Sequence, residues 1–349
     1  MKKTSSDIND TEEISEDVLF ERLRLTVDKG QTPLRVDKWL STHLADTSRN
    51  RIQSAADAGM IWVNGKAVKS NCKVRGNDIV QVLLDHEPHD TTIQPEDIPL
   101  NIVYEDEAVL VVNKPAGMVV HPGVGNAEHT LVNALAYHFQ GQTDIDMNNP
   151  DIGLVHRIDK DTSGLLLVAK TPQAKTHLGL QFFNHTTERT YNALVWGRFA
   201  EENGTIIGAL ARDTRDRTCY NVYDTDDRPD AKEAITHWRV LEPFPYVTLV
   251  ECRLETGRTH QIRVHMKHIG HPLFADDKYG GKEILKGVPT QKYKQFIQNC
   301  FALCPRQVLH AKTIGFTHPL TGQRMFFDSA LPDDIEQLLT KWRRYATDN

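Results

Sequence analysis

Residues 153–170 read GLVHRIDKDTSGLLLVAK, a dense polar loop, His156 to Ser163, set between two apolar segments of strand character. Loops held by rigid strands are where reactive groups sit. Asp159 lies in this loop with Arg157 and Lys160 close by, and Thr162-Ser163-Gly164 forms a tight turn back into the following strand. A carboxylate so placed can act as a nucleophile if it stays ionised and dry. Burial raises a carboxylate's pKa, so such an aspartate needs a fixed cation, and a planar guanidinium meeting both oxygens serves best. The stretch GRTHQIRVHMKHIG offers Arg258 and Arg263 on a helical pattern, with Thr259 as its N-cap and Gly270 as its stop. Arg263 is the candidate partner of Asp159.

Working outward, β-rich segments dominate from residue 101: IVYED, AVLVVNKP, GLVHR, GLLLVAK, RTYNALVWG, AITHWRV and YVTLVECRL. Helical patterns interrupt them at HTLVNALAYHF, PQAKTHLGLQFFNH and RTHQIRVHMKHIG. Strands outnumber helices and follow one another directly, so the fold class is α+β, with a mixed or antiparallel sheet flanked by helices and not a parallel βαβ array. Before this region, residues 86–100 carry three prolines and read as an extended linker. Residues 33–85 hold two helical patterns, PLRVDKWLSTHL and SRNRIQSAADAG, followed by short strands with a hairpin signal at Asn64-Gly65. Residues 1–24 are polar and acidic, without apolar periodicity, and read as a disordered tail.

The net charge of −6 is concentrated in that tail, because residues 1–21 contain seven acids and two lysines, −5 in all, leaving −1 for the rest. The overall balance therefore neither supports nor excludes a nucleic-acid partner, for which a local basic patch decides. Residues 33–85 carry such a patch, eight Lys/Arg against five Asp, with Arg49 and Arg51 opening a helix where backbone donors add to their attraction for phosphate. Five scattered cysteines describe neither a disulfide framework nor a paired CxxC zinc site. The chain shows no apolar run of membrane-spanning length and no signal-peptide core, and a cytoplasmic monomer is the expectation.

Four ordered motifs resemble the RluA family of pseudouridine synthases between about Val103 and Pro319. HRIDKDTSG resembles its H-R-L-D-x-x-T-S-G signature, with Ile158 for Leu; LVVNKPAG its N-K-P-x-G segment; RTYNALVWG its tyrosine segment; and ETGRTHQIRVHM its G-R-T-H-Q-I-R-V-H segment. The resemblance implies a catalytic domain of the pseudouridine synthase fold over residues 101–349. It implies that Asp159 is the catalytic aspartate, that Arg263 pairs with it, and that Tyr191 packs on the flipped uracil while Arg157 fills the vacated space in the RNA. A base must leave its stack before it can be turned about its glycosidic bond, and an aromatic platform offsets roughly 1–3 kcal/mol of that loss. The reaction is an isomerisation, so no cofactor or metal is called for. VVNKPAGMVVHPGVGNAEHTLVNALAYH resembles the RluD type of the family, which implies large-subunit ribosomal RNA as partner, at uridines of the stem-loop forming an intersubunit bridge; His129 stands where that stretch more often has Gly. R-V-D-K-W-L, S-R, G-x-x-x-V-N-G and G-N-D-I-V resemble the S4 RNA-binding domain, with Asn77 interrupting the usual Gly-Asp pair.

Plainer readings stand beside these. A lone loop aspartate is ordinarily a turn residue, and a strand tyrosine is ordinarily core. Leu309 reads as core or as the border of a uracil pocket. His156 is a candidate substrate contact, and Lys114 and His121, in a Pro/Gly-rich loop, read equally as phosphate contacts or as merely exposed. His260, His265, His268 and His271 cluster in sequence, so a metal-dependent hydrolase acting on RNA is a second function class, although no HExxH is present. A non-catalytic ribosome-binding protein is a third, and it leaves the loop around Asp159 without a role.

Overall fold

The structure, a computed structural model, describes residues 20–44, 47, 49–84, 93–123, 126–141 and 153–348. The chain divides into two compact units, one ending at Thr91 and one starting at Thr92. No described helix is long and apolar enough to cross a membrane.

In the first unit the elements are β1 (Phe20–Thr26), β2 (Leu34–Arg35), α1 (Val36–His43), α2 (Arg49–Asp57), β3 (Ile61–Val63), β4 (Lys66–Ala67), β5 (Lys73–Val74) and β6 (Ile79–Leu84). An antiparallel sheet in the order β1-β6-β3-β4 packs against both helices around Val36, Trp39, Leu40, Ile52, Ile61 and Val80. Asn64 and Gly65 both take positive φ, 52° and 76°, as the two-residue hairpin turn requires. The acidic tail expected over residues 1–24 is corrected at its end: Phe20–Thr26 is a strand on β6, and residues 1–19 lie outside the described residues. A register shift between Glu21 and Leu23 breaks the apolar alternation by which such a strand would be read.

Asp37 is fully buried in this unit and gathers hydrogen bonds from Arg35 (3.0 and 2.9 Å), Arg49 (3.1 and 2.9 Å), Gln53 (2.8 Å) and the Lys38 amide (2.8 Å). Burial alone would raise its pKa, but the donors from Arg35, Gln53 and Arg49 outweigh it and hold the carboxyl well below the usual carboxylate range. Arg49, expected at phosphate, is thus committed to an internal ion pair, while Arg51 is exposed.

The second unit comprises β7 (Ile102–Glu105), β8 (Val109–Lys114), α3 (Leu131–His138), β9 (Ser163–Ala169), α4 (Pro172–Phe183), β10 (Glu188–Trp196), β11 (Asn203–Arg212), β12 (Tyr220–Tyr223), β13 (Lys232–Pro243), β14 (Val247–Leu254), α5 (Gln261–His268), α6 (Gln291–Leu303), β15 (Leu309–Thr317), β16 (Arg324–Asp328) and α7 (Asp333–Asp348). Its ten strands run β12-β11-β13-β14-β10-β15-β9-β8-β7, with β16 also on β15. β15 runs parallel to β9 and the other pairings are antiparallel, so the sheet is mixed, as expected. Gly164 permits the parallel contact: at φ 115°, an added Cβ would lie 2.2 Å from the Ala311 carbonyl oxygen. GLVHR, expected as a strand, makes only a one-residue bridge, Leu154 to Val168, because the chain turns away to form the loop. The stretch expected as an extended linker is anchored within its described residues, 93–100: Ile93 enters the main core, and Glu96 receives the His129 amide (2.8 Å) and meets its Nδ1. His129 takes φ 58° and Asn77 φ 68°, so both departures from the resembled motifs adopt the left-handed conformation that Gly enters most readily and that Asn and His visit more often than most residues.

Candidate active site

Four central pieces of the sheet unit converge on one cavity of about 440 Å³: the loop before β9, the start of β10, the start of β15, and α5 after β14. Asp159, Tyr191, Arg263, Leu309, His156 and Arg157 all line it, so six residues singled out from the sequence meet around one space. The loop carrying Asp159 is fixed from below. Thr162 N–H closes the turn onto the Asp159 carbonyl (3.1 Å), the Lys114 ammonium donates to the Lys160 carbonyl (2.9 Å), and Arg306 donates to the Asp161 carbonyl (2.9 Å).

Lys114 is therefore corrected from a phosphate contact to a buried strut. It is fully enclosed and also donates to the carbonyls of Pro115 (2.7 Å) and Met118 (2.8 Å), while burial pushes its pKa down to about 7. A lysine with three carbonyl acceptors and no solvent exposure has no donor left for RNA.

Arg263 is buried, at 5% exposure, and grips two carboxylates at once. Nε and Nη2 meet Asp276 in a bidentate pair (2.7 and 2.9 Å), and Nη1 reaches Asp159 Oδ2 at 3.0 Å. The Tyr279 ring lies 4.9 Å from the guanidinium carbon. Despite its burial, which lowers the pKa, Arg263 is held further above its ordinary value by Asp276 and then Asp159. Asp276 thus sets the plane of the guanidinium and leaves one nitrogen aimed at Asp159. Asp159 is itself only 22% exposed, and its other oxygen lies 4.0 Å from His260 Nε2, too far for a hydrogen bond.

The N-cap of α5 is His260, at φ 57°, and not Thr259, while Gly270, at φ 85°, ends the helix as expected. Tyr279 Oη accepts the Tyr220 amide (3.0 Å) and shares a hydrogen bond with His260 Nδ1 (2.7 Å), while Nε2 of the same ring faces Asp159. Burial lowers the His260 pKa to about 4, with Asp159 opposing the shift. The other histidines of the sequence cluster do not converge: His265 Nδ1 meets Thr236 (2.9 Å) and His271 Nδ1 meets the Trp196 carbonyl (2.7 Å).

Tyr191 is buried against the cavity, and burial raises its hydroxyl pKa, with Arg189 opposing and Asp159 assisting. Leu309 is both core and pocket wall. His156 accepts the Leu167 amide on Nε2 (2.9 Å) and stacks on Phe182 at 4.6 Å, while burial drives its pKa down to about 3. Arg157 is exposed at the rim. Asp276, Tyr279, Arg306 and Arg189 were not singled out from sequence. Their motifs lack periodicity, and the one available signal was that a guanidinium buried beside one carboxylate has room for a second.

An aspartate clamped by a buried arginine beside a tyrosine lines a cavity with room for one nucleobase. Residues 108–268 match the family model of RNA pseudouridylate synthase. The chain is 41% identical to an uncharacterized RNA pseudouridine synthase of Chlorobaculum parvum, over 93% of this chain and 99% of that one. It is 38% identical to the ribosomal large subunit pseudouridine synthase D of Pasteurella multocida, over 91% and 94%. The human RNA pseudouridylate synthase domain containing 4 shares the fold, with TM-score 0.55 and 22% identity, over 70% of this chain and 93% of that one. The chain belongs to the RluA family of RNA pseudouridine synthases, and within it to the RluD type.

Proposed function

We propose that the protein isomerises uridine to pseudouridine in large-subunit ribosomal RNA, at uridines of the intersubunit-bridge stem-loop. The observation that carries this reading is the Asp159–Arg263–Asp276 array at a cavity walled by Tyr191 and Leu309. The relatives named for the large ribosomal subunit support the substrate.

The extruded uracil packs on Tyr191 and Leu309, and Arg157, at the rim, fills the space left in the RNA. Arg263 holds Oδ2 of Asp159, so Oδ1 is the oxygen free to act on the nucleotide. Attack on the sugar or the ring, and removal of a ribose proton, all need that same atom. The bond from N1 to C1′ breaks, the base turns, C5 bonds to C1′, and the C5 proton leaves as N1 gains one, so the reaction balances without oxidant or reductant. Asp276 and Tyr279 keep Arg263 in place through the turn, which lets the site stabilise charge without reorganising. The N-terminal unit, with its resemblance to the S4 domain and its exposed Arg51, adds affinity for the RNA backbone.

Tritium release from unmodified large-subunit rRNA labelled at uridine C5 tests the reading. Release by the intact protein, absent in Asp159→Ala and Asp159→Asn while RNA binding persists, is the expected result. Silence on rRNA, precursor particles and tRNA would overturn it.

A further inference from the structure

Arg189 lies two residues before Tyr191 on β10 and so projects from the same face of the strand into the same cavity. It is only 7% exposed, yet its side chain makes no hydrogen bond or ion pair with any described residue, and its Nε is buried without a partner. Among the described residues its one complementary contact is the Phe182 ring, 5.2 Å from the guanidinium carbon. Gly257 leaves room for it: a Cβ there would stand 2.9 Å from Arg189 Nη1. Arg263, equally buried across the same cavity lining, has two carboxylates.

Buried charges are ordinarily paired, because an unpaired one forfeits its hydration for nothing. An unpaired guanidinium lining the same cavity as Asp159 is therefore matched to an anion that arrives with the substrate. Uracil is neutral, whereas each nucleotide carries one negative phosphate, and a base resting on Tyr191 brings its own phosphate within a side chain's reach of Arg189. Resting on the uridine-isomerising reading, we infer that Arg189 binds a phosphate group of the nucleotide whose base enters the cavity. The site thereby holds the extruded nucleotide at both ends: base on Tyr191, backbone on Arg189.

The test uses the full chain and a set of rRNA stem-loops, each carrying one neutral methylphosphonate near the target uridine. Arg189→Gln is expected to bind the unmodified RNA about 10-fold more weakly, with the slope of log affinity against log salt reduced by about one. One methylphosphonate position should weaken the wild type by about the same factor and leave Arg189→Gln unaffected, while Arg189→Lys remains sensitive at that position. The free Gln variant should melt no lower than the wild type, since it loses a charge that had no partner. Methylphosphonates that weaken both proteins alike, a Gln variant that keeps its affinity and loses turnover, or one that melts well below the wild type would each overturn the assignment. The wild type's tritium release, measured in the same preparation, reports separately on the reading beneath it.

Discussion

The two units each bury one charged knot, and the knots are inverses. In the first unit one carboxylate, Asp37, takes two guanidinia and a carboxamide; in the second one guanidinium, Arg263, takes two carboxylates. Both oxygens of Asp37 are used and its side chain is fully buried, so that knot is structural. Asp276 meets Arg263 with both oxygens, but Asp159 meets it with one and turns the other to the pocket. The difference teaches that burial and pairing do not themselves mark a reactive group; the role proposed for Asp159 rests on an oxygen left over beside an open space.

Breaking the second knot at its open end has the largest expected effect. Asp159→Asn should lower turnover by at least about 10⁴-fold, measured by tritium release at saturating RNA. Thermal stability should change little, because Asp276 still pairs Arg263. A variant retaining a tenth of the activity would mean that Asp159 is no more reactive than Asp37. Next in size is the closed end. Asp276→Asn removes the charge that fixes the guanidinium plane, and turnover should fall by about a hundredfold, as misplacement of a supporting group by an ångström can. Because Asp276 acts through Arg263, KM for RNA should hold while kcat falls; a rise in KM alone would assign it to RNA binding.

Breaking the first knot should cost stability and leave chemistry alone. Truncating one partner of a fully buried ion pair costs about 3–5 kcal/mol, but Arg35 and Arg49 keep roughly two-fifths of their side chains in water and can rehydrate. Asp37→Asn should therefore destabilise the N-terminal unit by about 2 kcal/mol, read from denaturant unfolding, with kcat unchanged. A loss of kcat comparable to that of Asp276→Asn would dissolve the distinction between the knots.

How far sequence could see these knots follows from their construction. Asp159 stood out because a polar loop interrupts apolar segments, and Arg263 because a dry carboxylate demands a cation. The mixed sheet followed from strands succeeding one another with few helices. Asp276 and Arg189 were invisible because their roles depend on partners brought near, or withheld, by the fold. Lys114 misled for the opposite reason: a basic residue in a polar segment reads as available, and only the fold shows three carbonyls claiming it, while Arg49 spends two of its nitrogens on Asp37 and stays partly exposed. Strand β1 was lost because an acidic run precedes it and a bulge disturbs its alternation.

Acid should separate the units by the smallest but cleanest margin. His265 and His310 are fully buried in the catalytic unit, and burial lowers each pKa from 6.5 to about 4. Between these values the unfolded chain binds more protons than the folded one, so stability falls as pH drops through the window from about 6.5 to about 4. At pH 5.5 the two together should remove on the order of 2 kcal/mol relative to pH 7.5. Asp37 works with the opposite form: its folded pKa lies below the ordinary aspartate value of 3.8, so its contribution is complete well above that value and declines only in stronger acid. Calorimetry from pH 7.5 to 5.5 should thus lower the transition of the catalytic unit while that of the N-terminal unit stays put, and His310→Asn should flatten part of the slope. Two transitions falling in parallel would show that the histidines are not what acid attacks first.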